Sequence, residues 1–194
     1  MTKKRKSLEN EPYSIIEKTL SRVRSEYTIM PRFGYHQPLD YHIDTFPVDF
    51  EDPIFLKGEP LPLPPIKERM GYSSDDRDYL QWGSMDKGLL ISVIEEYIKP
   101  TENISVFDFG CSSGRVLRHF YPEALQKGWS IYGSDIQARP IQWMRENFPD
   151  CFTIFTGSTM PHLPLEDNSL DVIYGFSVFT HIKYHWDMWL LELK

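Results

Sequence analysis

The chain has 194 residues, 41% of them hydrophobic and 25% charged, with a formal net charge of −7. That length supports one domain with a sizeable core plus an extension, and the acidic balance argues against a nucleic-acid-binding surface. The two cysteines, Cys111 and Cys151, lack a metal-ligand spacing, which argues against a disulfide scaffold or a structural zinc site and fits a reducing, cytoplasmic setting. No segment near the start reads as a secretory signal, and no apolar run approaches the ~20 residues of a membrane span.

In chain order, Lys3-Lys4-Arg5-Lys6 reads as a solvated basic terminus, with a nuclear signal as the alternative. Ile15, Ile16, Leu20 and Val23 share a face and predict a helix over Tyr13 to Tyr27. Phe33 to Phe55 is rich in aromatics and histidine without a clear period. It reads as an irregular arm, whose Phe33, Tyr35, Tyr41, Phe46 and Phe50 are candidates for a lid over a substrate. Five prolines fall between Pro53 and Pro65, so this stretch should run extended over the surface. We place a division at 84/85, with the helix and Pro/aromatic-rich arm before it and a ligand-binding domain after it.

From Asp86 the pattern is regular. Leu89, Leu90, Val93, Ile94, Tyr97 and Ile98 predict a helix ended by Lys99-Pro100. Ile104 to Phe109 is a strand with almost no polar breaks, as suits a parallel strand buried on both faces. A helix with Val116, Leu117, Phe120 and Leu125 follows. Then come a strand over Trp129 to Gly133, a helix over Ile136 to Asn147, strands over Phe152 to Phe155 and Leu170 to Phe176, and a helix opening at Tyr184. This alternation predicts an α/β fold, an open parallel Rossmann-like sheet with helices on both faces. Four strands are visible where a doubly wound domain has six or seven, and the last helical pattern meets Lys194. The sheet is therefore expected to be incomplete, a fragment lacking C-terminal strands, with an unpaired edge open to association.

The chemistry concentrates in Asp108-Phe109-Gly110-Cys111-Ser112-Ser113-Gly114-Arg115. A strand end, a loop of small residues and a helix start bring backbone N–H groups and a positive helix end to a small charged ligand. The dinucleotide pattern G-x-G-x-x-G fails at Ser112 and Arg115, and a P-loop would need a lysine that the loop lacks. Asp135 ends the second strand 21 positions after Gly114, near the spacing at which an acid meets a ribose. His181 and His185 stand four apart without an H-E-x-x-H acid, so no metal site is expected.

From Phe107 onward, about half the chain, the sequence resembles the class I, Rossmann-like S-adenosylmethionine-dependent methyltransferases. The resemblance rests on Asp108 to Gly114, on Asp135, on Leu163-Pro164-Leu165-Glu166-Asp167-Asn168-Ser169-Leu170-Asp171, and on Ser177-Val178-Phe179-Thr180-His181 with Trp189-Leu190-Leu191-Glu192-Leu193. It implies S-adenosyl-L-methionine as cofactor and a strand order that sets the first and fourth strands of the sheet side by side. Gly110, Cys111, Ser112, Ser113 and Gly114 would hold the methionine part, Asp135 the ribose, with a plain helix N-cap as the alternative, and Ile136 the adenine edge; Asp108 is a further cofactor-site candidate, with a cap of the following turn as the alternative. Phe176 and Ser177 would border the reacting centre. Thr159 occupies the place of the acid that often meets the adenine amino group, and Ser112 that of a loop glycine. Arg115 is a candidate to neutralise the cofactor carboxylate, with a surface salt bridge as the alternative reading. His181 is a candidate general base, with a structural histidine as the alternative. The expected activity is methyl transfer to a small-molecule or glycan acceptor. The alternative is a cofactor-binding or scaffold protein without independent catalysis.

Overall fold

The computed structural model describes residues 27–33, 41–47, 50–99, 102–182 and 185–194, and divides into two compact units, Met1–Asp49 and Phe50–Lys194. The first contains β1 (Tyr27–Phe33) and β2 (Tyr41–Pro47), paired antiparallel with Phe33 opposite Tyr41 and Tyr27 opposite Pro47. The irregular reading of the arm is thereby corrected over 41–47. Tyr41, Ile43, Thr45 and Phe46 are β-branched or aromatic, residue types that favour a pleated strand. The helix expected over Tyr13 to Tyr27 lies outside the described residues except for Tyr27, which opens β1.

The second unit is built on a parallel sheet of β3 (Ser105–Phe109), β4 (Ser130–Asp135), β5 (Phe152–Thr156) and β6 (Val172–Tyr174), in the order β5-β4-β3-β6. This is the expected α/β Rossmann-like arrangement. Asp108 on β3 is in register with Gly133 of β4 and Tyr174 of β6. Successive β3 residues face opposite ways. Val106 joins a cluster with Ile131, Leu117, Phe120, Trp143 and Met144, while Phe107 and Phe109 join Leu163 and Trp189. The second cluster is aromatic in character: Phe107 stacks on Phe155 at 5.9 Å, and Phe109 meets Trp189 at 4.8 Å. β6 is shorter than expected, and among the described residues it bonds to β3 alone.

The helices follow the predicted order with informative shifts. α1 spans Asp76–Tyr97 and starts ten residues before the expected Asp86. Its start is set by Asp75, whose carboxylate accepts the N–H groups of Arg77 at 2.8 Å and Asp78 at 3.0 Å, an N-cap that satisfies two otherwise unpaired donors. Only part of the apolar pattern of α1 faces the core: Leu90, Ile94 and Ile98 pack inward. Trp82, Met85, Leu89, Val93 and Tyr97 form an exposed stripe. After the loop the chain makes a 3-10 turn over Leu117–Phe120 before α2 (Tyr121–Lys127), because Pro122 has no N–H to continue an α-helix begun earlier. α3 spans Ala138–Asn147 and α4 Trp186–Glu192. Among the described residues no helix is long and apolar enough to cross a membrane.

The proline-rich segment is extended, but it is held to the domain rather than lying loosely on the surface. Leu61 and Leu63 are buried, and Leu63 bridges to Ile54. Two arginines satisfy its carbonyls. Arg118 donates to Pro62 O at 3.0 Å and Leu61 O at 2.6 Å, and Arg69 to Pro64 O at 2.9 Å. The prolines cannot donate in return, so guanidinium groups with five donors and no acceptor suit this strap. Glu68, also buried, takes a forked hydrogen bond from Arg139 of α3 at 2.8 and 3.0 Å.

Two outcomes are expected. Ala normally stabilises a helix relative to Gly by about 1 kcal/mol, yet a Cβ at Gly83 of α1 would stand 2.1 Å from the backbone oxygen of Arg115. Gly83→Ala should therefore destabilise the fold by roughly 2 kcal/mol or more in urea unfolding, and a rise in midpoint would contradict the close approach. Arg118→Met should cost about 2–4 kcal/mol by stranding two carbonyls, and should make 53–65 the first site of limited proteolysis. An unchanged cleavage pattern would show that the arginine does not hold the strap.

Candidate functional site

Parallel pairing brings the carboxyl ends of β3, β4 and β6 to one edge of the sheet, so the segments after Phe109, Asp135 and Tyr174 emerge together. In open α/β sheets this edge is where ligands bind. The loop after β3 is drawn onto β4 by two hydrogen bonds: Gly110 N–H and Cys111 N–H both donate to Ser134 O, at 2.8 and 2.9 Å. The Asp135 carboxylate completes the clasp. One oxygen accepts Ser112 N–H and the other Gln137 N–H, both at 2.9 Å.

The loop turns through left-handed backbone at Gly110 (φ +82°), Ser112 (φ +50°) and Gly114 (φ +78°). At Gly114 a side chain would strike Met144 and Phe148, so glycine is required by packing as well as by φ. Ser112 has no such freedom, and its left-handed conformation carries about 1–2 kcal/mol of local strain. Its backbone bond to Asp135 helps keep it there.

The electrostatics centre on Asp108, which is 4% exposed. Burial pushes its carboxyl up to about 7; the Tyr174 hydroxyl and the Arg115 charge oppose the rise, and the Asp135 charge adds to it. Burial also raises Asp135, against the lowering effect of backbone N–H groups from Gln137, Ser112 and Ile136. The Tyr174 hydroxyl is raised by burial and then by the Asp108 charge. It faces that carboxyl in a geometry short of a regular hydrogen bond. The Cys111 thiol is raised by burial and by both acids. It is a packing group beside Gly133, not a nucleophile.

Three buried polar atoms around this acid have no hydrogen-bond partner: Ser112 Oγ, Arg115 Nη1 and the Tyr174 hydroxyl. Buried donors are almost always satisfied. A loop with two open donors, Ser112 Oγ and Arg115 Nη1, near a buried acid faced by the Tyr174 hydroxyl of β6 is therefore suited to a small ligand carrying both an anionic and a cationic group. The amino-acid end of S-adenosylmethionine has that character, and the residues fit it.

The other predicted residues fall as follows. Ser113 is fully buried, and its hydroxyl pairs with the Tyr79 hydroxyl at 2.9 Å, so its side chain is committed to α1. Ile136 is 57% exposed at the sheet edge. Thr159 lies half-buried after β5. Phe176 packs edge-on to Tyr174 at 5.8 Å, and Ser177 follows in left-handed backbone at φ +60°. His181 is exposed on the turn after β6, its N–H bonded to Val178 O at 2.9 Å. Arg115 is buried and pairs with Asp86 of α1 at 2.7 Å, an ion pair that is not the surface one of its alternative reading. Sequence reasoning missed Tyr174, Tyr79 and Asp86. Only Tyr174 carried a signal, as a polar residue in an apolar strand next to the first.

Comparison with known proteins agrees with this geometry. Residues 107–192 match the family model described as a methyltransferase domain. No curated protein matches the chain. Among solved structures, similarity is found to a chain from the complex between the Haloferax volcanii Trm112 methyltransferase activator and a candidate methyltransferase. Identity is 24% and the TM-score 0.36, over 55% of this chain and 50% of that one. The present chain thus spans about half the length of the solved chain it matches. By that match the segment 107–192, less than half of the chain, is similar to the methyltransferase domains.

Proposed function

We propose that this chain binds S-adenosyl-L-methionine at the carboxyl edge of the sheet and transfers its methyl group to a small-molecule or glycan acceptor. The observation that carries the reading is the buried Asp108 with its three unsatisfied polar neighbours, set beside the Asp135 clasp in a segment similar to methyltransferase domains. The cofactor supplies an activated methyl group, and the protein's share is binding and alignment. The Asp135 oxygens accept the Ser112 and Gln137 N–H groups, with the Ile136 N–H also turned to the carboxylate, and two carboxylate oxygens keep capacity for further donors, which suits the ribose hydroxyls. Ile136 offers apolar surface to the adenine. Asp108 serves the cationic end of the methionine part, and the segment from Gly110 to Gly114 surrounds it. Thr159, Phe176 and Ser177 line the approach. A hydroxyl acceptor needs a base, and His181 is the candidate among the exposed residues after β6. The second reading, a cofactor-binding protein without its own turnover, draws on β6, whose outer edge bonds no strand among the described residues. Exposed Trp186, Met188, Leu190 and Leu191 on α4 add to it. Association through that edge belongs to this reading.

Asp135→Ala should weaken S-adenosylmethionine binding by about tenfold or more in calorimetry. Equal binding by both proteins would remove the assignment, and cofactor binding without labelled methyl transfer to any acceptor panel would favour the second reading.

The Asp108 carboxyl sets a pH dependence of known sign. Its pKa is raised in the fold, so between about 4 and about 7 the native state keeps a proton that the unfolded chain has lost. Its contribution to stability is therefore full below that window and lost as pH rises through it. A bound cation favours the ionised form, so cofactor affinity should fall as pH drops below about 7, with proton release on binding. Titrations at pH 6 in buffers of different ionisation enthalpy measure that release. Asp108→Asn should abolish it, and release that persists in the variant would assign the proton elsewhere.

A further inference from the structure

α1 is apolar on two faces. Tyr79, Gly83 and Ile94 are buried, and Leu90 and Ile98 pack on the core beside Ile94. On the other side Trp82, Met85, Leu89, Val93 and Tyr97 recur at helical spacing, each more than half exposed. A surface helix of a domain normally turns polar side chains outward. Residues three and four apart are neighbours on a helix surface, so these five form one continuous stripe. At its ordinary rise the helix carries that stripe over about 22 Å. The open surface comes to roughly 600–700 Å², above the largest apolar patch of a typical soluble monomer.

The stripe is also nearly symmetric from end to end. Met85 and Val93 stand four residues either side of Leu89, and Trp82 and Tyr97 stand seven and eight. Such a helix is complementary to an antiparallel copy of itself. At its rim Asp78 and Gln81 lie toward one end, Glu96 and Lys99 toward the other, all exposed.

We propose that the outer face of α1 is the interface of a homodimer, in which two copies of α1 pack antiparallel about a two-fold axis at Leu89. Trp82 of each copy lies against Tyr97 of the other, Met85 against Val93, and Leu89 against its counterpart. Covering both stripes removes about 1,200–1,400 Å² from water, within the lower range of stable interfaces. Aromatic anchors such as Trp82 and Tyr97 are the residue types that contribute most to such contacts. The same register sets Asp78 opposite Lys99 and Gln81 opposite Glu96, so the rim is complementary. A parallel pair would set Asp78 against Asp78 and Glu96 against Glu96. An isologous contact closes on itself, so assembly stops at two copies. The interface stands on α1 alone and is independent of the cofactor reading.

Sedimentation equilibrium of the full chain over a concentration series tests this. The wild-type chain should show a monomer–dimer equilibrium. Leu89→Glu should raise its dissociation constant roughly 100-fold. Far-ultraviolet circular dichroism of that variant should stay native, since Leu89 is exposed and glutamate is a good helix former. Two cysteine variants in a Cys151→Ser background fix the geometry. Under copper–phenanthroline oxidation Leu89→Cys should cross-link to its own counterpart, while Val93→Cys, which faces Met85, should not. Cross-linking of both would mark a parallel pair, and of neither a different face; either overturns the proposal. A wild-type chain that stays monomeric at every concentration overturns it too, leaving the stripe to another segment of the chain or to a different protein. So does a dimer that Leu89→Glu leaves intact, and its dissociation by Leu191→Glu would move the interface to α4. Should Leu89→Glu not fold, the cysteine variants decide.

Discussion

The end of β4 governs the site. Ser134 offers one carbonyl to two successive N–H groups of the neighbouring loop, and Asp135 spans from that loop to the entry of α3 with both carboxylate oxygens. The loop after β3 and the entry of α3 are thereby held by one strand end. A loop with three left-handed residues, one of them a serine, has little reason to keep its shape alone. The clasp supplies that reason. Charge-assisted hydrogen bonds from backbone donors to a partly buried carboxylate are among the stronger ones, and here they connect a structural turn to a functional acid.

The opposite side of the loop is supported by α1 and the proline-rich strap. Tyr79 reaches Ser113, Gly83 lets the helix backbone approach Arg115, and Asp86 pairs with the Arg115 side chain. The strap in turn is held by Arg69 and Arg118, which donate to carbonyls in a segment poor in donors of its own. Arg69 is fully buried, bonds to Asp76 at 2.5 Å and lies over Tyr79 at 4.8 Å. Support therefore passes from strap to helix to loop through contacts whose loss would leave buried charge unpaired, a strongly destabilising result.

Between these supports lies a group of residues with contrasting demands. Burial raises the Asp108 carboxyl to about 7, while Ser112 Oγ and Arg115 Nη1 on the loop have no acceptor. A ligand bearing both charges meets both demands: its cation favours the ionised acid and its anion accepts from the donors.

Much of this was legible in the chain itself. The apolar runs at Ile104 to Phe109 and Phe152 to Phe155, the small-residue loop and Asp135 specify a parallel α/β sheet with a ligand edge, because strand burial and loop sterics act locally and leave a periodic trace. The start of α1 at Asp76, ten residues before the apolar period becomes regular, came from the structure, where the Asp75 carboxylate caps the helix. The pairing of β1 with β2, the inward turn of Leu61 and Leu63, and the split of the α1 apolar residues into a packed and an exposed stripe came only from the tertiary structure. So did the partners of the site: Tyr174 beside Asp108 through strand register, and Asp86 against Arg115 through helix packing. The difference is one of range. Periodicity and turn chemistry depend on neighbours a few residues away, whereas the partner of a buried charge is chosen by which surfaces the whole fold brings together.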